Sequence, residues 1–158
     1  MGGDTLTRAP VAAGMPTRVL VPYDGSLLSE HALEFAAERF GEAHLTLLRV
    51  IDPMTAAYDP PLGRPTPGFW DTWYEDTREA AATELETAAE EVAPDTGDVE
   101  TSIEVGNPAD VILATCEDGD YDHVVMGSHG REGLSRLFLG SVAEAVLRRA
   151  PVPVTVVR

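Results

Sequence analysis

Lysine is absent from this chain: all eleven basic residues are arginine. That removes a P-loop, whose Gly-x4-Gly-Lys-[Ser/Thr] pattern needs a lysine, and any Schiff-base mechanism. Cysteine occurs once, at Cys116, so there is no intrachain disulfide and no cysteine-based metal cluster. No apolar run approaches the length of a membrane span. The opening MGGDTLTRAPVAAGMP lacks the basic start and long apolar core of a signal peptide. It reads as a flexible tail over 1–16 ahead of one ordered domain over 17–158, and a cytoplasmic protein is expected.

Positive charge is scarce as well. Twenty-seven acids against eleven bases give a formal net charge of −16 on 158 residues. Nonspecific nucleic-acid binding works by displacing counterions with a basic face, and no such face is visible, so no nucleic-acid partner is expected. Nor is a membrane. The acids are spread along helical segments as solvated faces rather than gathered into an interaction tail. Dispersed acidity of this kind on a well-patterned globular chain suits a concentrated-salt, halophilic cytosol. On that reading, dialysis into low salt unscreens the self-repulsion and lowers the folded circular dichroism signal.

What is present is an alternation of short apolar runs and amphipathic stretches. RVLVP at 18–22 is a buried-strand pattern. Tyr23-Asp24-Gly25-Ser26 breaks it, with Ser26 placed to cap a helix carrying Leu28, Ala32, Phe35 and Ala36 and stopped by Gly41. HLTLLRV at 44–50 is a second strand. Residues 52–71 hold five prolines without a period, a long loop of the sort that is usually functional or disordered. Trp73, Thr77, Ala81, Leu85, Ala88 and Val92 then mark a long acidic-faced helix. A third strand over 99–105 alternates, with Val99, Thr101, Ile103 and Val105 on one face.

Asn107-Pro108 starts the next helix as cap and first residue, and Ala109, Ile112, Leu113 and Cys116 form its buried stripe. Strand four covers 123–126. Leu139, Val142, Ala143, Val146, Leu147 and Ala150 give the last helix its stripe, and 152–157 is a fifth strand. Five strands alternating with four helices predict an α/β fold: one parallel sheet with helices on both faces.

The stretch from Gly127 to Ser141 carries the chemistry. Two glycines three apart, Gly127 and Gly130, are followed after nine residues by Gly140-Ser141, between a buried strand and a helix start. Glycine permits positive φ and close backbone approach, and a helix start attracts anions through its free N–H groups and dipole. This spacing resembles the nucleotide-binding motif of the universal stress protein family, G-x2-G-x9-G-[ST], with all four fixed positions filled. Charge agrees. Between Gly127 and Arg149 four arginines face two glutamates, a local +2, which leaves −18 for the rest of the chain.

The resemblance implies strand order 3-2-1-4-5, a Rossmann-like adenine-nucleotide fold, and a homodimeric stress-response regulator that binds ATP with Mg²⁺ held through the phosphates. It also implies adenosine contacts from Pro22 to Asp24 and from the backbone of Val50, and dimer pairing through Val154–Val157. Phosphates are expected along both glycine clusters, Gly127 included, with contacts from the amides of Gly130, Gly140, Ser141 and Val142, the Ser141 hydroxyl and the side chain of Arg131, and with Arg136 in the same loop.

Each assignment has a plainer counterpart. Asp24 in an Asp-Gly turn can satisfy its own backbone. Ser141 can be an N-cap and Gly140 a tight turn. Met126 can pack against the base or fill the core. Arg148 and Arg149, in a last helical turn, offset the helix dipole. His129 reads as a solvent-facing loop residue and Cys116 as core. Phe69, Trp70, Trp73 and Tyr74 can form a lid, an oligomer contact or a closure of the core, the last being the safest expectation. Arg49 stands where the family often has a histidine. No catalytic set is apparent. The alternatives to a regulator are a slow ATPase or nucleotidyl transferase, and a nucleotide-free dimeric scaffold.

Overall fold

The computed structural model describes residues 18–58, 66–129 and 138–158. Five parallel strands form one sheet: β1 (Arg18–Pro22), β2 (His44–Ile51), β3 (Asp98–Val105), β4 (His123–Gly127) and β5 (Val154–Val157). Their order is β3-β2-β1-β4-β5, the order the resemblance implies. Strands buried on both faces need apolar side chains at successive positions. Val19 and Val21 of β1 therefore pack on one side, with Leu45, Leu47 and Val125, against α1 (Leu27–Phe40) and the second half of α3 (Phe69–Val92). Leu20 packs on the other side, with Leu48, Val124 and Met126, against α4 (Pro108–Asp118) and α5 (Ser141–Arg149). Each such fully buried side chain is worth ~1.5–3 kcal/mol relative to exposure.

The caps form as expected at two helices. Ser26 Oγ accepts from the Ser29 amide at 3.3 Å, and Asn107 Oδ1 from the Asp110 amide at 3.2 Å. Gly41 ends α1 for a different reason than a left-handed cap. Its φ is −59°, and a Cβ there would lie 2.6 Å from Asp95 O and 2.7 Å from Ala37 O. Close approach of the chain after α3 requires the glycine.

The segment 52–71 is not all loop. Asp52 Oδ1 accepts from the Met54 amide at 2.9 Å and caps a short helix, α2 (Pro53–Tyr58), with Pro53 at its first position. Residues 59–65 lie outside the described residues. α3 begins at Phe69, four positions before the first apolar residue counted toward it, after Gly68 at φ 84°. Two stripes are narrower than their pattern suggests. On β3, Val99 and Ile103 pack on the core while Thr101 and Val105 are exposed, because β3 is an edge strand only partly covered. On α5, Leu147 is exposed and Val146 is the buried anchor.

Candidate functional site at the ends of β1 and β4

Strand order reverses between β1 and β4, and ligands in open α/β sheets sit outside the strand C-termini at such a reversal. Pairing between the two strands stops at Leu20↔Val124, although β1 continues to Pro22 and β4 to Gly127. The segments leaving both strands face this gap. After β1, Tyr23 is tied to β2 by its amide, which donates to Leu48 O at 2.9 Å. Its phenol is buried, which raises its pKa above the usual value, with Glu30, Glu84, Glu91 and Asp24 adding to the shift. Asp24 Oδ1 then accepts from the Ser26 amide at 2.9 Å, and Gly25 takes φ 76°. The Asx turn read as the plainer role of Asp24 is therefore formed.

Val50 lies inside β2, not after it, paired with Glu104 of β3. Leu48 O is directed at β1 and Ile51 O at β3, where it accepts from Gly106 N. By the two-residue alternation of a strand, the N–H and C=O of Val50 point to the β1 side, past the end of β1. They face the gap.

Gly127 and Gly140 fit the structure by close approach rather than by unusual φ. Gly127 shows no positive φ, and a Cβ on it would lie 2.9 Å from Leu28 Cβ and 3.0 Å from Leu28 C. Gly140 has φ −64°, and its Cβ would meet Ser128 O at 2.9 Å and His129 Cα at 3.1 Å. These two absences of side chain press the start of α1 and the start of α5 onto the end of β4. Gly140 is the N-cap position of α5 and Ser141 its first helical residue, so Ser141 does not serve as the N-cap; among the described residues no side chain caps this helix. The first amides of α5, those of Ser141 and Val142 included, belong to the set a helix leaves without intrahelical partners. Gly130, Arg131 and Arg136 lie outside the described residues.

Met126 is 5 % exposed within the α4/α5-side core, the core-filling of its two expected roles. His129 is half-buried rather than solvent-facing, with Nδ1 2.9 Å from Ser128 Oγ. Arg148 pairs with Glu144 at 2.8 Å and Arg149 with Asp110 at 3.3 Å, which keeps both in local surface roles. Arg49 reaches Glu84 of α3 at 3.3 Å. Cys116 is buried in the core.

The aromatic cluster does not close the core. Phe69, Trp73 and Tyr74 are half-buried, Trp70 is 49 % exposed, and the buried residues of α3 begin at Ala81. Sequence reading passed over Ser128, which is 3 % exposed, donates its amide to Val157 O at 2.8 Å, and accepts from the Gly140 amide at 2.7 Å. Its place between two motif glycines was the available signal. Among the described residues no group of three or more His, Cys, Asp or Glu could hold a metal ion, and no helix is long and apolar enough to cross a membrane.

This geometry, a helix start joined to a strand end at a sheet reversal, accompanies a sequence match to the Universal stress protein family over residues 15–158. The chain belongs to the universal stress protein family. A universal stress protein of Methanocaldococcus jannaschii is 33 % identical over 146 residues, covering 89 % of this chain and 81 % of that protein. The solved structure of the hypothetical protein MJ0577 superposes with a TM-score of 0.78 at 29 % identity, covering 91 % and 96 % of the two chains. An Arabidopsis thaliana family member solved with AMP bound shares the fold, with a TM-score of 0.64 at 19 % identity over 90 % of this chain and 91 % of that one.

Proposed function

We propose that this universal stress protein is a cytoplasmic, homodimeric regulator that binds ATP in the gap between β1 and β4. One observation carries the reading: the start of α5, uncapped by any described side chain, is bonded through Gly140 to the end of β4 at the strand-order reversal. Amides and dipole there suit phosphate oxygens. The Arabidopsis relative's AMP supports an adenine nucleotide on this fold. In this reading Gly127, Gly130, Gly140, Ser141 and Val142 line the phosphates, Arg131 reaches them, and Mg²⁺ is held by the phosphates themselves. Pro22, Asp24 and the main chain of Val50 meet the adenosine, with Met126 behind the base. The chain is a binder rather than an enzyme; steady phosphate release by the pure protein would replace that statement.

The dimer forms through β5. Pro153 O accepts from Val124 N, and Val157 O from Ser128 N, so the odd-numbered residues direct their main chain inward. Val154 and Val156 therefore direct theirs outward, and an antiparallel, two-fold pairing centres on Thr155. The donor that Pro153 lacks falls on the inner side and costs the outer edge nothing.

The deciding experiment is to denature freshly purified protein, identify released nucleotide by mass spectrometry, and titrate ATP by calorimetry. An adenine nucleotide in the supernatant and saturable ATP binding are expected. No nucleotide and no heat of binding would overturn the assignment.

A further inference from the structure

Ser128 holds both ends of one structural arm. Gly140 immediately precedes α5 and Val157 is the last residue of β5. Between them run α5, a link over 150–153, and β5. The peptide groups of Ser128 bond to each end: its C=O accepts from Gly140 N at 2.7 Å and its N–H donates to Val157 O at 2.8 Å. The arm is packed along its length. Ala143 and Val146 are buried in the same core cluster that Val142, Ala150, Val152, Val154 and Val156 pack against. A close-packed unit of this kind shifts as a body rather than deforming.

There is no slack at the junction either. The α carbon of Gly140 sits so close to Ser128 O and His129 Cα that even a methyl group would not fit. Ser128 itself is buried, with Oγ placed against His129 Nδ1 at 2.9 Å. An anion that draws the first turn of α5 toward it therefore moves Ser128, and Ser128 carries the end of β5, where Val154 and Val156 direct their main-chain groups outward.

We propose that Ser128 is a positioning residue that couples anion occupancy at the start of α5 to pairing at the β5 edge. Nucleotide and a second copy of the chain then each bind more tightly in the presence of the other, as linkage requires. This rests on the nucleotide-binding and β5-dimer readings above.

The test measures the dimer dissociation constant of the full chain by sedimentation, with and without saturating ATP, alongside calorimetric ATP binding. Wild type should dimerise at least ~5-fold more tightly with ATP, the lower end of ordinary coupling. Ser128→Ala keeps both backbone bonds and should keep that ratio. Ser128→Pro deletes the N–H that reaches Val157, while also fixing φ and removing Oγ, the last of these controlled by Ser128→Ala, and should bring the ratio to about one. If Ser128→Pro does not fold, amide exchange on wild type decides: ATP should slow exchange at Gly140 and Ser128 together. ATP binding with an unchanged dimer constant and unchanged Ser128 exchange would overturn the coupling while leaving the nucleotide site standing. An equal ratio in wild type and Ser128→Pro would overturn the role of Ser128. Absence of ATP binding, or a monomer at every concentration, would overturn the parent reading and this one with it.

Discussion

β3 and β5 are the two edges of the same sheet, and they treat their open backbone differently. β3 runs DVETSIEV, with Asp98, Glu100 and Glu104 on one side. Two of these acids grip His44 of β2: Nδ1 lies 2.7 Å from Asp98 Oδ2 and Nε2 3.0 Å from Glu100 Oε2. An imidazole donates from both nitrogens only when protonated, so this edge carries an ion cluster. Charges on an edge discourage pairing with another chain. β5, VTVV, has no charge along its four residues, and its far end is bonded to the residue that also holds the start of α5. One edge is blunted. The other is left able to pair, and it is the one connected to the candidate nucleotide site.

The contrast breaks most visibly at β5. Val156→Pro removes an outward N–H without touching the inner ladder. Two such losses per dimer, each leaving an acceptor unpaired, amount to about 3 kcal/mol, or roughly a hundredfold weaker dimer. Analytical ultracentrifugation should show a monomer where wild type is a dimer; an unchanged dimer constant would place the interface elsewhere.

The glycines at the two ends sharpen the contrast next. A Cβ on Gly127 meets Leu28 backbone at 3.0 Å, whereas on Gly97, beside β3, its nearest contact is an ordinary 3.6 Å. Gly127→Ala should cost ~1–3 kcal/mol in urea unfolding, as overpacking does, and Gly97→Ala under about 0.5. Equal costs would mean that the close approach of α1 to β4 is not maintained in solution.

Ser141→Glu then separates binding from folding. A carboxylate in the first turn of α5 favours the helix by ~0.3–1 kcal/mol while occupying the position proposed for phosphate. ATP affinity should fall about tenfold or more as thermal stability holds or rises. Unchanged affinity would remove α5 from the site.

The smallest effect is the pH dependence of the His44 clamp. Hydrogen bonding to Glu100, with Asp98 adding to it, raises the His44 pKa above its ordinary value. Its stabilisation is thus complete below the unfolded value of about 6.5 and is lost as pH rises through the higher folded value. The acids are largely exposed, which keeps the effect under about 1 kcal/mol. The stability difference between wild type and His44→Gln should shrink from pH 6 to pH 9. Comparison with the variant cancels His123, whose pKa burial lowers and whose contribution therefore runs the other way, lost as pH falls. A difference that grows with pH would mean His44 is not held as the cation.

Much of this was readable from local pattern. RVLVP and HLTLLRV are buried on both faces and look it; Ser26 and Asn107 cap the helices that their positions announced. Spacing alone singled out Gly127 and Gly140. Local pattern misled where burial depends on reach. Phe69, Trp70, Trp73 and Tyr74 continue the apolar stripe of α3 at helical spacing, yet burial on that stripe begins only at Ala81. Nothing in their spacing reveals where the cover stops. His44 read as the first residue of a strand; its two carboxylates come from a strand 54 and 56 residues later.

By itself, then, the sequence determined the alternation of elements, the acidic surface and the family motif, because each is a property of neighbouring residues and of composition. Only the tertiary structure decided why Gly127 and Gly140 have no room for a side chain. Whether a glycine supplies a turn or admits a neighbour depends on which atoms arrive from elsewhere, here Leu28 at Gly127 and Ser128 at Gly140. The same holds for Ser128, an ordinary residue in the chain that becomes a junction because the end of β5 and the start of α5 bond to its two peptide groups.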